Sequence, residues 1–131
     1  MKEEKYLYKE LSFSIVGAAY DAYNQLGVGF KEKHYQKAMA ELLKTRNINF
    51  REQVPWEIKI NDKIIGRYFF DLLIENSIVV ELKKGDYYVR GNIDQVKSYL
   101  SATGLKLAIL INFTSKGVKF LRIINIIAPA K

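Results

Sequence analysis

Cysteine is absent from the 131-residue sequence, and histidine occurs once, at His34. Without cysteine there is no disulfide framework, no thiolate nucleophile and no Cys-ligated zinc or iron–sulfur site. A single histidine comes close to excluding a structural zinc as well. A cysteine-free chain suits a reducing compartment, and a cytoplasmic location is expected. Only two prolines occur, and no Pro/Ser-rich linker, internal repeat or low-complexity tract divides the chain. Apolar runs are short, as at Leu107 to Ile111, far below the ~20 residues that span a bilayer. Nor does an apolar signal region follow Met1-Lys2-Glu3-Glu4-Lys5. Membrane insertion is not expected.

What is present is a globular composition, 49% hydrophobic and 27% charged, read as one domain over 1–131 because two cores would need a longer chain. Twenty-one Lys and Arg against fourteen Asp and Glu give a net charge of +7. That excess favours a polyanionic partner, either nucleic acid or an anionic surface, although the same charge can serve solubility alone.

Leu11, Ile15, Ala18, Ala22 and Leu26 recur at helical spacing, with Gly27 placed to end the helix. A second helix starts near Lys31, carries Tyr35, Ala38, Met39, Leu42 and Leu43 as its core stripe, and ends at Asn47. Val54, Trp56, Ile58 and Ile60 then alternate with Pro55, Glu57 and Lys59, a strand with one wet face, which Pro55 assigns to a sheet edge. Asn61-Asp62 reads as a turn into a strand over 64–74, and Asn76-Ser77 as a turn before a strand from Ile78 to Lys83. A helix over 92–103 is closed by Gly104, with Asn92 and Gln95 spaced as a cap. Leu107 to Ile111 reads as a strand covered on both faces; Thr114 to Gly117 is a turn, and 118–126 a last strand. The order α-α-β-β-β-α-β-β predicts an α/β fold with a mixed sheet.

Side-chain direction locates the candidate chemistry. If Ile74 pairs with Ile78 around Glu75-Asn76-Ser77, Leu72 faces Val80 and Phe70 faces Leu82, so every pair on that face is apolar. The same register sets Asp71 opposite Glu81, with Lys83 one step along. Facing carboxylates raise each other's pKa and destabilise a sheet. A divalent cation removes the penalty, since Mg²⁺ and Mn²⁺ prefer hard oxygen ligands, and Lys83 is placed to hold a water or phosphate oxygen beside it. The ordinary alternative is an Asp–Lys–Glu salt-bridge cluster on a wet face. Glu32, three residues before Tyr35, extends the helix stripe and is expected to point toward the sheet; its alternative is a first-turn acid that complements the helix dipole. Gln95 and Tyr99 share one face of the later helix. His34 suits surface or capping duty better than catalysis. No Ser-His-Asp arrangement and no phosphate-cradling glycine loop can be argued from spacing.

The segment Gly29-Phe30-Lys31-Glu32-Lys33-His34-Tyr35 resembles the signature of the GxxExxY proteins, a branch of the PD-(D/E)XK nuclease superfamily. Asp71 with Glu81-Leu82-Lys83 is similar to the superfamily's D…ExK core, and Gln95-Val96-Lys97-Ser98-Tyr99 to the QxxxY element of its recombination-exonuclease branch. Phe70 stands where the superfamily has Pro, and Val28 where many relatives have it. The resemblance runs from about Ile15 to Asn125. It implies a restriction-endonuclease-like αβββαβ core, a mixed central sheet flanked by helices, cutting phosphodiester bonds with Mg²⁺ or Mn²⁺. Carried over, Asp71, Glu81 and the Leu82 carbonyl ligate the metal, Glu32 adds a ligand or holds a metal-bound water, and Lys83 positions or activates the attacking water. Gln95, Tyr99, Tyr35, Lys84 and Arg90 become accessory or nucleic-acid-binding residues. The 84–90 stretch mixes bases with Tyr87 and Tyr88, suited to phosphate contact and base stacking. The implied partner is nucleic acid, DNA being favoured; a homodimer is compatible with it. The rival from another class is a non-catalytic nucleic-acid-binding or protein-partner module on the same fold.

Overall fold

The structure is a computed structural model that describes residues 8–86 and 90–125. Helices α1 (Lys9–Leu26) and α2 (Glu32–Thr45) precede strands β1 (Phe50–Ile60), β2 (Lys63–Ile74) and β3 (Ile78–Lys84); α3 (Arg90–Thr103), β4 (Leu107–Thr114) and β5 (Gly117–Ile124) follow. The five strands lie in chain order across one sheet, with β3 and β4 parallel across the α3 crossover and the other neighbours antiparallel. One face is covered by α1 and α2, whose Ile15, Ala18, Ala22, Tyr35, Met39 and Leu43 meet Leu72, Ile74, Val80, Leu82 and Ile109. The other is covered by α3, whose Val96, Tyr99 and Leu100 meet Val54, Phe70, Val79 and Leu110. This is the mixed, helix-flanked sheet of the restriction-endonuclease-like fold.

Local chemistry explains the element ends. Gly27 adopts φ 78, a left-handed conformation that glycine takes without steric cost, and its N–H donates to the Tyr23 carbonyl at 2.7 Å. At the start of α2 the Lys31 N–H donates to His34 Nδ1 at 3.2 Å, so His34 caps a helix. Asn61 and Asp62 both have positive φ, 51 and 64, as do Glu75 and Asn76, 52 and 53; two such residues in succession are the mark of type I′ hairpin turns. β1 is an edge strand, which accommodates Pro55. β4 is buried at every position. Several boundaries differ from expectation: β1 begins earlier, at Phe50, and β4 runs on to Thr114. α3 starts at Arg90, so Asn92 lies inside the helix and the cap pattern with Gln95 does not form. Tyr87, Tyr88 and Ile126 lie outside the described residues.

The register holds near the turn and then departs. Leu72 pairs with Val80 and Ile74 with Ile78, but the β2–β3 ladder stops there. Phe70 does not face Leu82: it packs in the α3 layer, while Leu82 packs in the α1/α2 layer. The physical reason lies in the β1–β2 ribbon, where Glu52 pairs with Leu72 and Val54 with Phe70. Between those pairs Gln53 has φ 52, a left-handed conformation that costs a non-glycine residue about 1–2 kcal/mol. Phe50 packs toward the α1/α2 layer and Val54 toward the α3 layer, and Leu72 and Phe70 divide in the same way. Both strands change face together at Gln53 and Asp71, which breaks the period-2 alternation once.

Candidate active site

Where the ladder ends, side chains take over its hydrogen bonds. The Asp71 N–H donates to Glu81 Oε1 at 3.0 Å, and the Leu82 N–H donates to Asp71 Oδ2 at 2.7 Å. Each carboxylate thus satisfies a backbone donor that the parting strands would otherwise leave bare. The remaining oxygens are also engaged: Tyr68 Oη donates to Glu81 Oε2, and Gln53 Nε2 donates to Asp71 Oδ1 at 3.2 Å. Glu81 is only 2% exposed; Asp71 is half-buried.

Burial, and then the charge of Asp71, push the Glu81 carboxyl up to about 7, against the lowering effects of Tyr68, the Asp71 N–H and Lys83. Burial raises Asp71 too, opposed chiefly by the Leu82 N–H and the Gln53 amide. Tyr68 is raised by burial and by its bond to Glu81, so it stays a donor. Lys83 is half-buried and its charge acts on both carboxylates. Among the described residues neither carboxylate forms an ion pair with Lys or Arg, so the salt-bridge alternative is not what the structure builds.

Glu32 reaches the sheet as expected, but at its margin. It is exposed, and its Oε2 accepts a hydrogen bond from the Lys84 N–H at 3.2 Å. As the first residue of α2 it stands where the helix layer meets the end of β3, so its side chain binds the strand terminus instead of turning into the core. Its charge is still felt by Tyr68. Among the described residues no three acidic or histidine side chains gather closely enough to hold a metal.

Two aromatic residues expected to be accessory or nucleic-acid-binding are core residues, which leaves them only the accessory role. Tyr35 is buried, stacked on Phe113 with centroids 4.1 Å apart, and its hydroxyl donates to the Gly27 carbonyl at 2.5 Å. Tyr99 is buried against Phe70, also at 4.1 Å, and meets Trp56 edge-on at 5.4 Å. Neither ring is accessible to a polymer, because each fills the space between a helix and the sheet. Gln95 is half-buried on α3, and Lys84 and Arg90 are exposed at either end of the loop between β3 and α3. Asp86 in that loop accepts hydrogen bonds from the Ser115 N–H at 2.9 Å and the Ser115 hydroxyl at 3.1 Å, which hold its carboxyl below its ordinary pKa.

Three side chains were not foreseen. Tyr68 shares the Phe70 face, and regular pairing would have set it opposite Lys84; only the change of face lets its hydroxyl reach Glu81. Gln53 supports Asp71. Asn112, paired with Lys83 across the parallel ladder and 1% exposed, donates through Nδ2 to the Gly85 carbonyl at 2.7 Å and so holds the start of the loop. A polar residue interrupting the apolar run after Ile111 was the visible signal for Asn112; Tyr68 had none.

A sequence model of the PD-(D/E)XK nuclease superfamily matches residues 9–123. Among solved structures, that of SSO0001 superposes with a TM-score of 0.52 at 23% identity, covering 94% of this chain and 59% of its own. The chain thus spans less than two thirds of SSO0001, and that likeness bears on the fold alone. No curated protein matches the chain.

Proposed function

The chain belongs to the PD-(D/E)XK nuclease superfamily, and from that premise we propose that it is a divalent-metal-dependent nuclease of the GxxExxY branch that hydrolyses phosphodiester bonds, with DNA as the favoured substrate. The observation that carries this reading is the Asp71–Glu81 pair. A buried and a half-buried carboxylate side by side, each with a raised pKa and neither ion-paired with Lys or Arg among the described residues, are costly as they stand. Each of their oxygens accepts one hydrogen bond and keeps a further lone pair. That is a hard-oxygen donor set, and it fits Mg²⁺ or Mn²⁺.

Asp71, Glu81 and the Leu82 carbonyl would hold the ion, with Glu32, anchored on the Lys84 amide, as an outer member. When bound, the cation supplies Lewis acidity, neutralising charge on the phosphoryl oxygens and lowering the pKa of water. Lys83 orients the attacking water and steadies the scissile phosphate. Tyr68 and the Asp71 N–H keep Glu81 aimed at the site. Lys84 and Arg90 contact backbone phosphates on either side of the loop, and Gln95 approaches from α3.

Purified protein with Mg²⁺ or Mn²⁺ is expected to cleave nucleic acid, and EDTA to stop it. Asp71→Asn is expected to abolish cleavage while leaving binding intact, with an affinity that falls steeply with salt. The rival reading, a non-catalytic nucleic-acid-binding module, draws on the lack of a gathered third acid among the described residues. It takes over if the protein binds metal and nucleic acid but cleaves neither DNA nor RNA.

A further inference from the structure

We propose that Gln53 is a positioning residue of the carboxylate site, its left-handed backbone and its amide together setting the direction in which Asp71 faces. The inference rests on the nuclease reading only where metal affinity is measured. Among the described residues, the other non-glycine residues with positive φ are Tyr8 beside a helix start, Asn47 after a helix, and four residues in hairpin turns; Gln53 alone lies inside a strand. A conformation of this kind persists only where its surroundings over-determine it, and here the surroundings are a chain of amides.

The chain's polarity is forced from its far end. Glu52 Oε1 lies 2.9 Å from Gln36 Nε2 and 3.5 Å from Lys37 Nζ. An ionised carboxylate only accepts, so Gln36, itself 8% exposed, must turn its NH₂ toward Glu52 and its carbonyl toward Gln53. Gln53 Nε2 donates to that carbonyl at 2.7 Å. One hydrogen remains on the same nitrogen, and Asp71 Oδ1 at 3.2 Å receives it. With Oδ2 fixed by the Leu82 N–H, the Asp71 carboxylate is held at both oxygens.

The backbone of Gln53 completes the arrangement. Its left-handed φ coincides with the change of face that takes Phe70 away from Leu82 and brings Tyr68 to Glu81. One residue thereby organises the partners of both carboxylates. A neighbour that orients a metal ligand in this way typically changes metal affinity by about 10–100-fold when removed.

Gln53→Gly tests the proposal, because glycine keeps the left-handed backbone at no steric cost while the side chain and its amide are removed. The readouts are thermal melting, Mn²⁺ titration by calorimetry, and hydrogen exchange of the Leu82 amide by NMR. Gln53→Gly is expected to melt close to wild type, to exchange the Leu82 amide faster, and to bind Mn²⁺ at least about tenfold more weakly. Gln36→Met, which removes the support one step back, is expected to shift Leu82 exchange and Mn²⁺ affinity in the same direction by less; it serves as the second variant should the first fold poorly. Unchanged Leu82 exchange in both variants overturns the proposal whatever the metal does. A wild-type protein that binds no Mn²⁺ defeats the nuclease reading instead, and Leu82 exchange then still decides the role of Gln53.

Discussion

Glu81 makes the metal-free protein less stable as pH rises, and Glu81→Gln is expected to remove that dependence. In the fold its carboxyl is pushed from 4.5 up to about 7, by burial first and then by Asp71. Between those two values the folded protein keeps a proton that the unfolded chain has given up. Stability is therefore present in full below pH 4.5 and is lost as pH rises through 7. A gap of about 2.5 pH units corresponds to roughly 3 kcal/mol, or about 10 °C in melting temperature for a chain of this length. The side chain is 2% exposed, so solvent screens little of this. Glutamine keeps an oxygen that can accept from the Asp71 N–H, carries no charge, and relieves Asp71 of its neighbour. The assay is thermal unfolding with a chelator from pH 5 to pH 8. Wild type is expected to lose stability across that range relative to Glu81→Gln, with the variant the more stable of the two at pH 8. A divalent cation at about a hundred times its Kd is expected to restore roughly 2.7 kcal/mol to wild type and nothing to the variant. Parallel pH profiles for the two proteins would refute the reasoning, since they would mean that Glu81 is not a buried carboxyl disfavoured as an anion.

Lys83→Ala is expected to lower cleavage by about 10²–10⁴-fold with Mn²⁺ affinity nearly unchanged by calorimetry; a loss confined to metal binding would make Lys83 a structural counter-charge. Glu32→Gln is expected to bind Mn²⁺ like wild type, because its amide oxygen still accepts from the Lys84 N–H, whereas a tenfold loss would make Glu32 a direct ligand. Tyr35→Phe removes one hydrogen bond to Gly27 and keeps the stack on Phe113; denaturant unfolding is expected to show a loss of about 1 kcal/mol with specific activity retained. Activity lost without that change in stability would return Tyr35 to the chemistry.

The two carboxylates were legible in the sequence because they lie on strands, where two local rules suffice. A side-chain period of two assigns faces, and the turn at Glu75 and Asn76 sets the register by which Leu72 meets Val80. The same locality made the helices readable, since Ile15, Ala18 and Ala22, or Tyr35, Met39 and Leu43, need only their own spacing to declare a buried face. What failed was extrapolation past a point where a non-local contact overrides the period. Phe70 belongs with Leu82 by alternation, and it leaves because Gln53, eighteen residues away from Asp71 in sequence, adopts a backbone that no pattern of apolar residues encodes. Tyr68 was hidden for the same reason. Glu32 was half legible: the stripe of α2 carries it to the sheet, but as the helix's first residue it meets only the end of β3, and no third acid closes on Asp71 and Glu81 among the described residues. Tyr35 and Tyr99 show a third limit. A motif spacing states which residues recur together, but an aromatic ring can recur because it fills a seam as readily as because it touches a ligand, and here Phe113 and Phe70 occupy the other side of those seams. The candidate site is accordingly two layers deep in its origin: carboxylates placed by strand periodicity, and their direction set by polar contacts between β1, β2 and α2 that only the folded chain brings together.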